Sequence, residues 1–225
     1  MTNYVLVHGA WGGGWSYDRL AADLRAAGHR VLVAGLTGLG AHATEINRSI
    51  TLTTHIDDIC RQIEHAGVGR FVLAGHSYGG MVITGVAARL GARIDALVYL
   101  DAFLPQDGQS LWDTVGDFER DHYIGSQKFT PGLVAPLPGM ENNPRLGRHP
   151  LYTLLEGVRL TGEEAKVRRR VYVFAASWSP TPFTPFRDRV KDDPAWEYHE
   201  ADAGHDVMGD QPQQVLEILL GLAAG

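Results

Sequence analysis

The sequence predicts an α/β protein: a mostly parallel six-stranded sheet flanked by helices and interrupted once by a long insertion. Three observations carry that expectation. Short apolar runs bounded by glycine or loop residues recur along the 225-residue chain, helical patterns fall between them, and six of the eleven prolines lie in one stretch between Asp101 and Arg170. Strand and helix in alternation predict parallel strands with helices on both faces. With 44% hydrophobic residues the chain can bury one sizeable core, and its length demands no second independent domain.

The elements follow in order. YVLV (4–7) is the first strand, WSYDRLAADLRAAG (15–28) the first helix and RVLVAG (30–35) the second strand. LTTHIDDICRQIEHAG (52–67) reads as a helix in which Cys60, the only cysteine, is a packing residue and can form no internal disulfide. RFVLAG (70–75) and ALVYLD (96–101) flank GGMVITGVAARLGA (79–92), a helix rich in small residues. RVYVFA (170–175) and AWEYHEA (195–201) complete the strands, and PQQVLEILLGLA (212–223) closes the chain. Five of the six runs are apolar enough to be strands covered on both faces. The prolines at 105, 131, 136, 138, 144 and 150 fall in a stretch too long for a plain loop and too broken for another regular unit. The expected organisation is therefore a core of residues 1–102 and 170–225 with a lid, residues 103–169, inserted over the sheet.

Charge narrows the partners. The net charge is −6 and no Lys/Arg cluster is dense enough to release counterions from a phosphate backbone or an anionic membrane. A small-molecule substrate is expected, with no nucleic acid and no membrane; a homodimer is left open. MTN runs straight into YVLVHG without a basic or cleavable leader, and no stretch approaches about 18 consecutive apolar residues, so a cytoplasmic protein is expected.

Chemistry concentrates at three places. Gly75-His76-Ser77-Tyr78-Gly79 fits G-x-S-x-G directly after a predicted strand and at the start of a helix. There the motif reads as a strained turn that lifts a nucleophilic serine clear of the sheet, rather than as a polar turn serine. A serine needs a base and oxyanion donors. In EADAGHDVMGDQP, His205 follows the last predicted strand and so lies at the carboxyl edge that carries Ser77, whereas the rival His199 sits within the strand pattern. In LVHGAWGGGW, the peptide N–H of Ala10, just past the first strand, and that of Tyr78 would form an oxyanion hole. The ten histidines show no metal-ligand spacing, so neither a metal nor a cofactor is expected.

VLVHGAWGGGW, GHSYGGMV and GHDVM, in this order, resemble the α/β-hydrolases of the salicylate-binding-protein, methylesterase and hydroxynitrile-lyase group. The resemblance spans nearly the whole chain and is weak across residues 103–169. It implies an α/β-hydrolase fold and a cofactor-free serine hydrolase acting on small esters, lactones, carbamates or cyanohydrins. The lyases of the group carry a threonine where this sequence has Gly9 and a lysine where it has Asp206, which favours hydrolysis here. A catalytically silent ligand-binding homologue is the other reading. Most α/β-hydrolases place the acid after the penultimate strand, but RVYVFAASWSPTPF holds no carboxylate. Lactonase-like relatives place it after the strand that follows the nucleophile helix, where this sequence has Asp101; Asp202 and Asp206, on the loop of His205, are the alternatives. For the pocket, Trp11, Phe103, Trp112, Trp178 and Phe183 are expected to supply an aromatic, mostly apolar lining.

Overall fold

In the computed structural model, which describes residues 1–140 and 142–223, the chain runs β1 (Asn3–Val7), α1 (Asp18–Ala26), β2 (Arg30–Ala34), α2 (Leu52–His65), β3 (Phe71–Ser77), α3 (Gly79–Leu90) and β4 (Ile94–Ala102). A long connection then holds α4 (Leu111–Thr114), α5 (Asp117–Ser126), β5 (Leu133–Val134), β6 (His149–Pro150) and α6 (Tyr152–Leu155). After it come β7 (Arg169–Ala175), α7 (Thr184–Val190), β8 (Glu197–Ala201), α8 (Val207–Asp210) and α9 (Pro212–Leu222). Six strands form one parallel sheet in the order β2-β1-β3-β4-β7-β8.

Alternation along the strands builds two cores. Val5 and Val7 of β1, Leu73 of β3 and Tyr99 of β4 pack with Ile56, Ile59 and Ile63 of α2 and with α3. Tyr4, Leu6, Val72 and Val98 point the other way and pack with Leu20 and Leu24 of α1 and Val215 and Leu219 of α9. Both faces of the central strands are thus covered, which is why they read as unbroken apolar runs. Tyr4 adds a buried hydrogen bond from its hydroxyl to the Leu219 carbonyl at 2.8 Å.

The structure departs from the sequence reading in three places. β2 looked like a buried strand, yet it lies at the sheet edge and is only partly covered; β8 is the opposite edge. The first helix starts at Asp18, because residues 14–17 form a single 3₁₀ turn. Residues 103–169 are also more regular than their prolines suggest. Besides three short helices they contain an antiparallel pairing of Leu133 with Pro150 and Val134 with His149. Each partner lies about sixteen residues from the other in sequence, so no local turn signal marks the pair.

Candidate active site

Three strand ends meet at the carboxyl edge of the sheet, and each carries a non-glycine residue with positive φ: Trp11 (59°) after β1, Ser77 (54°) at the end of β3 and Asp101 (42°) near the end of β4. Such conformations cost of order 1–3 kcal/mol each and persist only where the surroundings enforce them. At Ser77 the enforcing contacts are close backbone approaches. A Cβ at Gly79 would lie 2.5 Å from the Val7 carbonyl oxygen, and one at Gly75 would lie 2.7 Å from that of Gly79. Only glycine fits at either position, and this tight turn presents Ser77 to a cavity of about 810 Å³.

Asp101 reaches the site through an irregularity. Along the β3–β4 pairing, His76 faces Leu100 and Ser77 faces Ala102, so Asp101 is an extra residue bulged out of register. A bulge re-aims a side chain that strand alternation would send elsewhere. The carboxylate is fully buried and accepts three hydrogen bonds: His205 Nδ1–H at 2.7 Å on Oδ2, Trp178 Nε1–H at 3.2 Å on Oδ2, and the Ala175 peptide N–H at 3.2 Å on Oδ1. A buried carboxylate satisfied in this way is fixed in one orientation. Because β4 and β7 are neighbours, the Asp101 carboxylate lies beside the end of β7, where the sequence has no acid.

The His205 ring is bound from several sides. Phe183 stacks on it at 5.0 Å between centroids, Trp178 lies at 5.1 Å and His76 at 4.5 Å. His76 Nε2–H donates to the His205 carbonyl at 2.8 Å, tying the residue beside Ser77 to the loop that carries the imidazole. Desolvation first, and His205 second, lower the His76 pKa, so it is neutral. With Nδ1 engaged by Asp101, Nε2 of His205 has no hydrogen-bond partner among the described residues. The competing residues have other partners: His199 pairs with Glu197 on the edge strand at 2.9 Å, Asp202 accepts the Ser177 hydroxyl, and Asp206 caps α8 by accepting the Gly209 N–H at 3.1 Å.

Ala10, Trp11, Ser77, Tyr78, Phe103, Trp178, Phe183 and His205 line the same cavity. Trp112 does not. Its ring packs against Tyr123 at 6.3 Å with the Arg120 guanidinium over it at 5.7 Å, so it supports the wall from behind. Leu137, Met140 and Leu154 of the β4–β7 connection complete an apolar wall. Sequence reasoning missed His76, and it missed a buried cluster of His55, His149 and Tyr78 behind the site; nothing in their spacing marks them. No group of three or more His, Cys, Asp or Glu side chains among the described residues is placed to hold a metal ion. No helix among them is long and apolar enough to cross a membrane.

Residues 4–218 match the alpha/beta hydrolase family, and the chain belongs to it. It is similar to a carbendazim hydrolyzing esterase from Nocardioides sp. (strain SG-4G), 40% identical over 241 residues and covering 99% of this chain and 100% of that protein. It is also similar to salicylic acid-binding protein 2 of Nicotiana tabacum, 30% identical across 68% of this chain and 61% of the relative. Among solved structures, an extracellular alpha/beta-hydrolase from a Paenibacillus species superposes with a TM-score of 0.82 at 21% identity, covering 99% of both chains. A pyrethroid hydrolase, PytH, superposes with a TM-score of 0.74 at 20% identity, covering 99% of this chain and 97% of that one.

Proposed function

We propose that the protein is a serine hydrolase that cleaves a small, largely apolar or aromatic carboxylic ester or carbamate through an acyl-enzyme intermediate. The observation that carries this reading is the chain of Ser77 on a strained turn, His205 in the same cavity, and Asp101 buried against His205 Nδ1 at 2.7 Å. In the proposed mechanism Ser77 Oγ attacks the substrate carbonyl while His205 Nε2 takes its proton, and the negative Asp101 stabilises the imidazolium. The carbonyl oxygen becomes an oxyanion held by the peptide N–H groups of Ala10 and Tyr78. Tyr78 is the N-cap of α3, whose first-turn N–H groups have no intrahelical partners and whose dipole favours negative charge there. His205 then passes its proton to the departing alcohol, and the same histidine activates water to release the acid.

Residues 103–169 act in this reading as a cap on a core of residues 1–102 and 170–225. A planar aromatic acyl or leaving group suits the cavity, which Phe103, Trp178 and Phe183 border on one side and Leu137, Met140 and Leu154 on another. Similarity to a carbendazim hydrolyzing esterase supports an ester-cleaving reading of this cavity. The cyanohydrin-lyase alternative is disfavoured at Gly9, where a Cβ would stand 3.0 Å from Ser77 Cβ and 3.3 Å from His76 Nδ1. A threonine there would push on the nucleophile itself. A cytoplasmic setting belongs to the same proposal, since the chain's one thiol, Cys60, can form no internal disulfide.

The test is a panel of p-nitrophenyl esters, aryl carbamates and lactones, run with fluorophosphonate labelling. Ser77→Ala is expected to abolish labelling and to lower kcat on the scale of about 10⁶-fold while the fold survives. Retention of more than a few per cent of turnover would sink the mechanism. Ligand binding without turnover or labelling in the unmodified protein would point instead to a silent binding homologue.

A further inference from the structure

The residue after Ala10 is held in a strained conformation from outside the core. Trp11 has φ 59°, and the Gly12 N–H donates to the Ala10 carbonyl at 2.7 Å across it, which makes residues 10–12 a γ-turn of the rare positive-φ kind. Three hydrogen bonds clamp this turn, all from the connection between β4 and β7. The Trp11 peptide N–H donates to His149 Nδ1 at 3.3 Å, its indole N–H donates to the Val134 carbonyl at 3.1 Å, and its carbonyl accepts the Gly147 N–H at 2.9 Å. Val134 and His149 are register partners in the β5–β6 pair, so the pair grips the tryptophan from both strands.

His149 is itself fixed. It is fully buried, and desolvation pushes its pKa well below the usual histidine value, so it is neutral. Since Nδ1 accepts from Trp11, the proton sits on Nε2 and donates to Thr153 Oγ1 at 2.6 Å; the threonine hydroxyl in turn donates to the Pro150 carbonyl at 2.8 Å. The same imidazole packs against the Tyr78 ring in a T-shaped contact, 4.8 Å between centroids. The Tyr78 hydroxyl donates to His55 Nδ1 at 2.8 Å, and His55 Nε2–H donates to the Thr37 carbonyl at 2.9 Å. One buried imidazole thus touches the residues that carry or adjoin both proposed oxyanion donors.

We infer that His149 is a positioning residue: by accepting the Trp11 N–H and packing on Tyr78, it sets the peptide N–H groups of Ala10 and Tyr78 for the oxyanion, so that the oxyanion hole is complete only when the β5–β6 pair is docked. This deepens the hydrolase reading and rests on it. Binding the substrate under residues 103–169 and stabilising its transition state are then one structural event. The energetic logic is that a donor acts in proportion to how well it is pre-aimed, and a strained γ-turn released from its clamp relaxes away from that aim.

His149→Ala removes the acceptor; His149→Asn restores one, because Asn Oδ1 branches from the side chain where Nδ1 does. With p-nitrophenyl acetate as the probe, His149→Ala is expected to lower kcat by about 10- to 100-fold, short of the loss of a whole oxyanion donor, with KM within about twofold of the wild type. His149→Asn should recover most of that loss. Amide hydrogen exchange of the peptide spanning residues 9–13, read by mass spectrometry, should quicken in His149→Ala and return toward wild type in His149→Asn. Unchanged kcat in His149→Ala, or equal losses in both variants with a raised KM, overturns the inference and leaves His149 as pocket packing. Unchanged exchange overturns it independently of any activity. Failure of the hydrolase reading is seen separately, as a wild-type protein that neither turns over the panel nor labels at Ser77.

Discussion

At Asp101 a carboxylate shut off from water faces an imidazole whose remaining neighbours are aromatic rings, and the two are joined by one 2.7 Å hydrogen bond. The arrangement makes the charge of Asp101 matter more than its shape. Asp101→Asn keeps the size of the side chain and can still accept the Ala175 N–H, but an amide nitrogen turned toward His205 selects the wrong tautomer. A loss of up to about 10⁴-fold in kcat is expected. Asp202→Asn and Asp206→Asn should remain within a few-fold of the unmodified enzyme, because these residues bind Ser177 and cap α8. Steady-state rates for the three variants settle the assignment. Near wild-type turnover in Asp101→Asn together with loss in either loop variant would move the acid to the loop. Neighbouring residue types gave the positions of Ser77 and His205 because the turn chemistry of G-x-S-x-G and the glycine before His205 are local. The bulge at Asp101 is a property of pairing with β3 and leaves no mark in ALVYLD.

Among the elements, β5 and β6 are the least stable by themselves, two residues each, and they owe their order to what they grip. Of the described residues between them, 135–140 and 142–148, most are exposed and none lies in a helix or strand. If residues 103–169 are a cap with its own stability, limited proteolysis should cut first within 135–148 and leave the sheet core as a protected product. Initial cleavage in a sheet-helix connection, such as residues 35–51, would count against that boundary. The irregular reading of the sequence here followed from its prolines, which do forbid a long strand or helix. They do not forbid two-residue pairing, in which Pro150 needs to donate nothing to remain at the end of β6.

For the whole molecule, the buried histidines couple stability to acidity. His8, His55 and His149 are each at most 1% exposed. Desolvation is the first cause of a lowered pKa in all three, carrying His8 down to about 4; nearby histidines add to this for His8 and His149. A histidine with a depressed folded-state pKa binds its proton more readily when unfolded. Its contribution to stability is therefore intact above the unfolded value of about 6.5 and is lost as pH falls below it, at about 1.4 kcal/mol per pH unit and per histidine. For His8 that loss continues down to about 4. Urea unfolding midpoints are expected to drop markedly between pH 7.5 and pH 5.5, and a flat profile over that range would refute the burial argument. The ten histidines in the sequence gave no hint of this, since His8 just past β1, His55 on α2 and His149 on β6 come together only in the fold.

The sequence by itself determined the order of strands and helices, the parallel sheet and the G-x-S-x-G turn. Each depends on periodicity or on local backbone sterics: strands covered on both faces must be apolar throughout, and glycine alone tolerates the approach of Val7 to Gly79. Tertiary structure alone decided between Asp101 and the loop carboxylates as the partner of His205, kept Trp112 out of the cavity lining and supplied the clamp on Trp11. Those contacts join residues 104 and 138 positions apart, through a bulge and a two-residue strand pair whose existence depends on the partner they bind. Packing selects them, and packing has no period to be read along the chain.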